Sequence, residues 1–451
     1  MADSYDVAVV GAGIAGVSAA YFLSVRHGLR TVLVDHRPPL TLTSDKSTEC
    51  YRNWWPGPGP EMVAFMNRSI DLLEEWALES ANAFNLNRRG YLFVTGDPDR
   101  LALLRTGAEE TSNLGGGPLR CHPGGQDAYR ESPAGGWEGQ PTGADLFEDG
   151  HSLRRWFPYV SGRAVGGVHV RRAGWLSAQQ LGAYLLEKGR DAGLAVLASQ
   201  VVGIEGQPSP LLTLADGSRL RPGATVIAAG PMTNEVLAMV GATLPLHSEL
   251  HRKIAFRDHL NVIPREAPLV IWSDPQRLPW SAEEAQWLAA DVDGQVLMEE
   301  LPGSPHFRPE GGVGSNWVLA LWEFRRDRRA PVWPLPDDPV YTEVIMRGLA
   351  TLVPGLGGYL ERLPAAMVDG GYYMKTAENR HLVGPTDIGG VCVVAGLSGF
   401  GVMAAAAAGE LVGLHLTGGE LPDYAWAFLP SRYQDPRYVT LMGNQQSSGQ
   451  L

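Results

Sequence analysis

Three glycines, Gly11, Gly13 and Gly16, stand in the pattern G-A-G-I-A-G, and an acid, Asp35, follows nineteen residues after the last of them. Each part has a physical role if a nucleotide is to be held. The first glycine permits a tight turn, the second lets the backbone approach a pyrophosphate, and the third lets a helix pack close to a strand. Ile14 and Ala15 then open a helix whose free N–H groups and positive dipole end face the phosphates. Asp35 is suited to accept hydrogen bonds from an adenosine ribose. His36 and Arg37 come next, so at this point NAD, NADP and FAD all stay open.

The motif has meaning only between a strand and a helix, and the surrounding residues supply both. Residues 7–10 form a short valine-rich run suited to a strand buried on both faces. Residues 14–26 are alanine-rich and free of proline, and 31–34 read as a second strand. This is a β-α-β unit, the seed of a parallel sheet. Further on, the pattern predicts a helix over 61–81, a strand over 91–95, and a helix over 177–192 with a capping box of Ser177 and Gln180. Strands are expected at 195–205, 211–214 and 225–229. Residues 113–150, rich in Gly and Pro, read as an irregular loop with the character of a lid. From 246 to 364 the texture changes to alternating strands, including 249–257 and 316–324, with a helix over 340–352. Residues 391–416 are long and nearly uncharged. Gly396, Gly399, Gly401 and Glu410 interrupt them, so they read as a buried strand, a turn and a buried helix, not as a membrane span. The tail after 438 is polar.

Composition narrows the function classes. The chain has 451 residues, enough for two domains, and a net charge of −12 without a basic run, which argues against a nucleic-acid partner. Cys50, Cys121 and Cys392 form no C-x-x-C pair and there is no H-E-x-x-H, so neither a disulfide framework nor a metal site is expected. No signal peptide is legible, and a cytoplasmic protein is expected, as a monomer or small homo-oligomer with no membrane partner.

Four further stretches carry a resemblance. They are "TSDKSTECYRNWWP" at 43–56, "ATVIAAGPMTNEV" at 224–236, "GGYYMKTAENRHLVGP" at 370–385 and "VVAGLSGFGVMAAAAAGEL" at 393–411. With the first forty residues they resemble the FAD-dependent amine and amino-acid oxidoreductases of the D-amino acid oxidase and sarcosine oxidase type. The likeness is weakest over 246–364. It implies an α/β (α+β overall) fold, with a discontinuous Rossmann-like FAD-binding domain at 1–88, 150–235 and 366–451. A substrate domain built on an antiparallel sheet would comprise 89–149 and 236–365. Ser47 and Thr48 would sit beside the pyrophosphate and flavin, Val202 near the adenine, and Ala228, Ala229 and Gly230 close to the cofactor. Gly396, Ser398, Gly399, Phe400, Gly401 and Val402 would set backbone N–H groups at the flavin N1/C2 edge. A glycine-rich turn opening a helix is physically able to stabilise the negative charge of a reduced ring there. No second G-x-G-x-x-G occurs in a strand–turn–helix context, so electrons are expected from an organic substrate.

The reaction implied is oxidation of a C–N bond in an amine or N-substituted amino acid by hydride transfer to flavin N5, giving an imine, with oxygen or another acceptor downstream. A 2-hydroxy acid or polyol dehydrogenase, or a flavin-binding subunit of an electron-transfer complex, are the alternatives. By the resemblance, Arg52 would bind a substrate carboxylate, which its forked guanidinium suits, and Tyr373 would lie over the flavin. Glu323, read as part of the 316–324 strand, is a candidate partner for a substrate ammonium, with an exposed ion-paired glutamate as the plainer reading. The family's tethering cysteine falls at Gly371, so FAD is expected to be noncovalent. Its substrate-binding lysine falls at Met403, and its histidine at Phe400. No lysine stands on the 316–324 strand for oxygen activation. Lys253 or Lys46 would have to serve, or the protein is a dehydrogenase. Trp54, Trp55, Trp272, Trp317 and Trp322 line an aromatic pocket or belong to the core.

Overall fold

A computed structural model describes residues 4–122, 129–206, 208–290, 292–312, 314–325 and 328–443. Two large sheets organise it. The first has six strands in the order Leu382–Pro385, Val391–Ala395, Ala224–Ile227, Val7–Val10, Thr31–Asp35, Ala195–Ala198. All neighbours are parallel except the first pair, which is antiparallel. The central strands are nearly all β-branched or small and buried on both faces, as a sheet covered by helices requires. The carboxyl ends of its five parallel strands therefore lie side by side, at Ser199, Asp35, Gly11, Ala228 and Gly396.

Helices cover this sheet closely because their contact faces are small. Gly401–Thr417, carrying five consecutive alanines, lies against Ile14–Tyr21. A Cβ at Gly409 would stand 2.5 Å from Ser18 Oγ and 2.9 Å from the Phe22 ring, so the helices approach to backbone contact there. Glu410, the acid within this apolar helix, is paired by Arg68, with Nε 2.8 Å from Oε2. Among the described residues no helix is long and apolar enough to cross a membrane.

The second sheet has nine strands in the order Ala366–Lys375, His247–Arg257, Trp317–Leu321, His306–Glu310, Leu269–Trp272, Tyr91–Thr95, Gly166–Val170, Ala144–Phe147, Leu119–His122. It is mixed, not purely antiparallel. Leu269–Trp272 runs parallel to Tyr91–Thr95, and Leu119–His122 parallel to Ala144–Phe147. Tyr341–Leu352 packs on it through Val344, Ile345, Leu349 and Leu352. Gly166–Val170 and Ala366–Lys375 belong to this sheet, although the expected boundaries at 150 and 366 put them in the nucleotide-binding portion.

Several local expectations change. The 113–150 stretch contains the last two strands of the second sheet, Leu119–His122 at its edge and Ala144–Phe147 beside it, and is not wholly irregular; 123–128 lie outside the described residues. Ionic contacts join the core packing of Leu146 and Phe147 in holding them. Asp145, buried, takes Arg171 Nη1 at 2.6 Å, Arg120 Nε at 2.6 Å and His122 Nε2 at 2.9 Å. Ser177 does cap its helix by accepting from Gln180 N at 3.3 Å, but the Gln180 side chain turns away to Asn85, so no reciprocal box forms. The strand holding Glu323 ends at Leu321.

Among the described glycines, the closest backbone approach lies in the first glycine motif. A Cβ at Gly16 would stand 1.8 Å from the Gly11 carbonyl oxygen. Gly16→Ala therefore forces the helix off the strand. We expect a loss of about 1–3 kcal/mol of stability, read by urea unfolding, with the nucleotide cleft disrupted as well.

Candidate active site

The carboxyl ends of the five parallel strands open into one elongated cleft of about 1400 Å³. This is where an open α/β sheet binds a dinucleotide. Taken in sheet order, its floor is Ser199, Gln200 and Val201, then Asp35 to Arg37, then Gly11 to Ala15, then Ala228 to Met232, then Val394 to Gly399 with Gly401 and Val402; Phe400 lines only the second cavity. Gly11 has φ +107°, and a Cβ on it would stand 2.4 Å from the Ala228 carbonyl oxygen. Only glycine fits. Gly16 does not line the cleft; its work is the packing described above. Asp35 closes the turn, with Oδ2 accepting from Ala12 N at 2.8 Å and Oδ1 from Arg37 N at 2.8 Å. His36 lies at the rim, Nδ1 3.6 Å from Asp35 Oδ1.

One contact shows how the phosphate end is prepared. The Ile14 N–H, at the start of the helix, donates to Ser44 Oγ at 2.9 Å. A hydroxyl thus occupies the place where a helix N-terminus would meet a phosphate oxygen. Ser44 was not singled out from the sequence. Its only signal was its position in the 43–48 loop. That loop is braced from the second sheet: Lys253 Nζ donates to the carbonyls of Asp45 and Ser47, and Arg308 Nε donates to Thr48 O at 2.6 Å.

A second, much smaller cavity opens at the far end of the cleft. Ser47, Tyr373, Ser398, Gly399 and Val402 line both. The others around it include Thr48, Cys50, Arg52, Tyr91, His306, Leu321, Glu323, Phe400 and Met403. Arg52 is buried, its guanidinium flanked by Trp55, Tyr91 and Phe400 with ring centroids 5.3–5.5 Å away. Burial depresses its pKa, against the opposing pull of Tyr91. Tyr373 is fixed between two partners. Its ring stacks on His251 at 4.1 Å, and Gly399, with φ +85°, leaves room on its other side, where a Cβ would stand 2.5 Å from the ring. Burial pushes the Tyr373 hydroxyl's pKa well above its ordinary value, so it stays protonated.

Glu323 reaches this cavity, but not as expected. It lies two residues beyond the strand, its side chain is 9% exposed, and its Oε1 is 2.8 Å from His251 Nδ1. The plainer reading of an exposed residue does not hold. Three other expectations are revised. Val202 is 49% exposed and points away from the cleft, while its neighbour Val201 lines it. A bulge between Val201 and Gly203 shifts the side-chain parity. Lys253 lines neither cavity, being engaged by the 45–47 carbonyls. None of the five tryptophans lines either cavity. Trp272 and Trp322 are core, Trp54 packs on Phe93, Trp317 lies under Arg257, and Trp55 stands behind Arg52 and Phe400. The cavity's aromatic walls are Tyr91, Tyr373 and Phe400. Gly371 does not line the cleft either; the 43–46 loop packs onto it, with Lys46 Cβ 3.0 Å from where a Cβ would be. Among the described residues no cluster of His, Cys, Asp or Glu is arranged to hold a metal.

Comparison with known proteins follows the same lines. A sequence profile described as FAD dependent oxidoreductase matches residues 6–413. No curated protein sequence matches. Among solved structures, L-proline dehydrogenase from P. horikoshii superposes with TM-score 0.72 at 16% identity, covering 96% of this chain and 99% of that one. Iminodiacetate oxidase from Chelativorans sp. BNC1 gives 0.69 at 16% identity, covering 94% and 98%. Glycine oxidase from Geobacillus kaustophilus gives 0.68 at 16% identity, covering 92% and 95%. At such identities the likeness establishes the fold.

The glycine cradle, the helix N-terminus and Asp35 fit FAD. Asp35→Ala removes the carboxylate and frees the 12 and 37 amides. FAD retention, measured by equilibrium dialysis, should fall roughly 10- to 100-fold, the equivalent of about 1.5–3 kcal/mol for charged hydrogen bonds. Val202→Ala should leave it unchanged.

Proposed function

The chain belongs to the FAD-dependent oxidoreductase family, and on that premise we propose that it oxidises the C–N bond of a small amine bearing a carboxylate, such as an N-substituted amino acid, to the imine. The observation carrying this reading is that one cavity holds Arg52, Glu323 and three aromatic walls where it joins the dinucleotide cleft. A guanidinium and a carboxylate in one small cavity match the two charges of an amino acid. A 2-hydroxy acid carries no cation for Glu323 to meet, and among the described residues no second arginine lines the cavity. The structural neighbours named for proline, glycine and iminodiacetate support the same substrate class.

The chain's residues divide the work as follows. Arg52 fixes the substrate carboxylate. Glu323 receives the ammonium and takes one proton from it, leaving a neutral nitrogen whose lone pair assists cleavage of the adjacent C–H bond. Tyr373, clamped by His251 and Gly399, sets the wall against which the substrate lies. Phe400, Met403 and Leu321 keep water out and favour an apolar side chain. The 396–402 turn directs backbone N–H groups and a helix N-terminus toward the negative charge that develops on the cofactor ring. FAD, when bound, supplies the two-electron acceptor for the substrate C–H bond. We hold FAD to be noncovalent, since Gly371 offers no attachment and Cys392 is buried in the core.

The lysines bear on the electron acceptor. Lys46 pairs with Asp369 at 2.8 Å, Lys375 with Glu249 at 2.8 Å, and Lys253 with backbone carbonyls. None lines the substrate cavity. We infer that oxygen is a poor acceptor and that the protein works as a dehydrogenase. Reoxidation by air should be at least tenfold slower than by a soluble dye acceptor in stopped flow. Equal rates would return the oxidase reading.

Anaerobic titration with primary, N-methyl and cyclic amino acids, amines lacking a carboxylate, and 2-hydroxy acids tests the function. Carboxylated amines should bleach the flavin. Arg52→Met should raise their Kd roughly 30- to 100-fold, equivalent to about 2–3 kcal/mol, with little effect on amines lacking a carboxylate. Bleaching by hydroxy acids alone overturns the proposal.

A further inference from the structure

The strand His247–Arg257 sets His247, Glu249 and His251 on one face through its two-residue period. Its neighbour Ala366–Lys375 places Lys375 opposite His247 and Tyr373 opposite Glu249. On its other side Lys253 pairs with Leu321, so the chain just beyond brings Glu323 beside His251. A continuous run of polar side chains results. Glu323 Oε1 is 2.8 Å from His251 Nδ1, His251 Nε2 is 3.2 Å from Glu249 Oε2, and Glu249 Oε1 is 3.3 Å from His247 Nε2. Lys375 Nζ anchors Glu249 Oε2 at 2.8 Å. Side-chain exposure increases from 1% at His251 to 10% at Glu249 and 17% at His247. One end of the run is a wall of the substrate cavity; the other approaches solvent.

We propose that Glu323, His251, Glu249 and His247 form the path by which a proton taken from the substrate leaves the buried cavity. This rests on the reading that substrate binds between Arg52 and Glu323. The step balances without any other reactant. A substrate N–H bond breaks and a Glu323 O–H bond forms. Glu323 passes that proton to His251 Nδ1 as His251 releases its Nε2 proton to Glu249 Oε2. Glu249 gives up its Oε1 proton to His247 Nε2, and His247 releases one to water. One proton has moved outward, and His251 and His247 are each left as the opposite tautomer, so both rings must turn over, as must the Glu249 carboxyl, before the next proton passes.

The charges around the run suit this direction. Burial opposes a charged His251, but Glu323 and Glu249 outweigh it and raise its pKa, so a proton resides at the ring between the two carboxylates. Burial likewise opposes ionised Glu249, yet His251 and Lys375 hold its pKa at about 2, so it passes a proton on and does not keep it. Burial, with Arg328 nearby, lowers the pKa of His247, so it is a neutral acceptor that releases readily. Across the cavity Arg52 and His306 face Glu323, Tyr341 lies on its outer side, and Tyr373 stacks on His251.

The test is anaerobic stopped flow of FAD-loaded protein in weakly buffered solution, with an indicator dye for bulk protons and flavin absorbance in parallel. In the wild type, proton release should keep pace with bleaching by the active amine. In His247→Ala it should lag at least tenfold, with substrate Kd unchanged, and added imidazole should restore it. His247→Gln guards against a folding defect. Release at the wild-type rate in both variants, or a lag that imidazole does not relieve, overturns the relay while leaving the substrate reading intact. If only 2-hydroxy acids bleach the flavin, the substrate reading fails, and their hydroxyl proton must show the same lag or the relay fails too. If nothing bleaches it, histidine carbon NMR of the resting protein decides. Glu249→Gln must then shift the titrations of both His247 and His251; unchanged midpoints overturn the proposal.

Discussion

The structure depends on how closely one turn of backbone can lie against the next strand. Gly11 sits against the Ala228 carbonyl, and Gly16 against the Gly11 carbonyl, at separations that leave no space for a Cβ. That approach seats the Ile14–Tyr21 helix on the sheet with its N–H groups facing the strand ends. The alanine-rich Gly401–Thr417 helix then packs on the first one through Gly409. Because this helix begins at the 396–401 turn, its position also fixes the wall where the dinucleotide cleft meets the substrate cavity. The phosphate end and the reactive end of the site are therefore set by one packing arrangement.

A second constraint is strand register. Pairing Lys253 with both Leu321 and Asp369 determines which residues flank His251. A slip of one residue would send His247, Glu249 and His251 to the opposite face and take His251 away from Glu323. Tyr373 and Lys375 belong to the same register, so the aromatic wall and the buried charges are positioned together. Lys253, the next residue on that face, braces the 45–47 loop from below. The second sheet thus supports the cofactor loop as well as the substrate.

The sequence made the nucleotide site legible because its logic is local. Gly11, Gly13, Gly16 and Asp35 carry their roles within one β-α-β unit, and Gly396 to Val402 announce a turn between a valine run and an alanine run. What stayed hidden depends on long-range pairing or on parity. Val202 differs from Val201 by one residue, and only the bulge decides which side chain enters the cleft. Glu323 was legible as a carboxylate near the site, but its partner lies on another strand, and no spacing in the chain links 323 to 251. The alternation His247, Glu249, His251 was present as a pattern; its meaning required knowing that Tyr373 and Lys375 lie beside it. The short strands at 119–122 and 144–147 were masked by flanking Gly and Pro and by the charged side chains that join Asp145 to Arg120, His122 and Arg171. For the tryptophans the core alternative holds, since large rings are more often core than lining.

A crystal structure of the FAD-loaded protein tests the central claim most directly. The account predicts the adenosine ribose on Asp35, the pyrophosphate at the Ile14 N–H with Ser44 displaced, and the ring beside Tyr373 and the 396–402 turn, one face open to Arg52 and Glu323. A ring lying elsewhere, or turned so that the Arg52–Glu323 cavity does not face it, would contradict it.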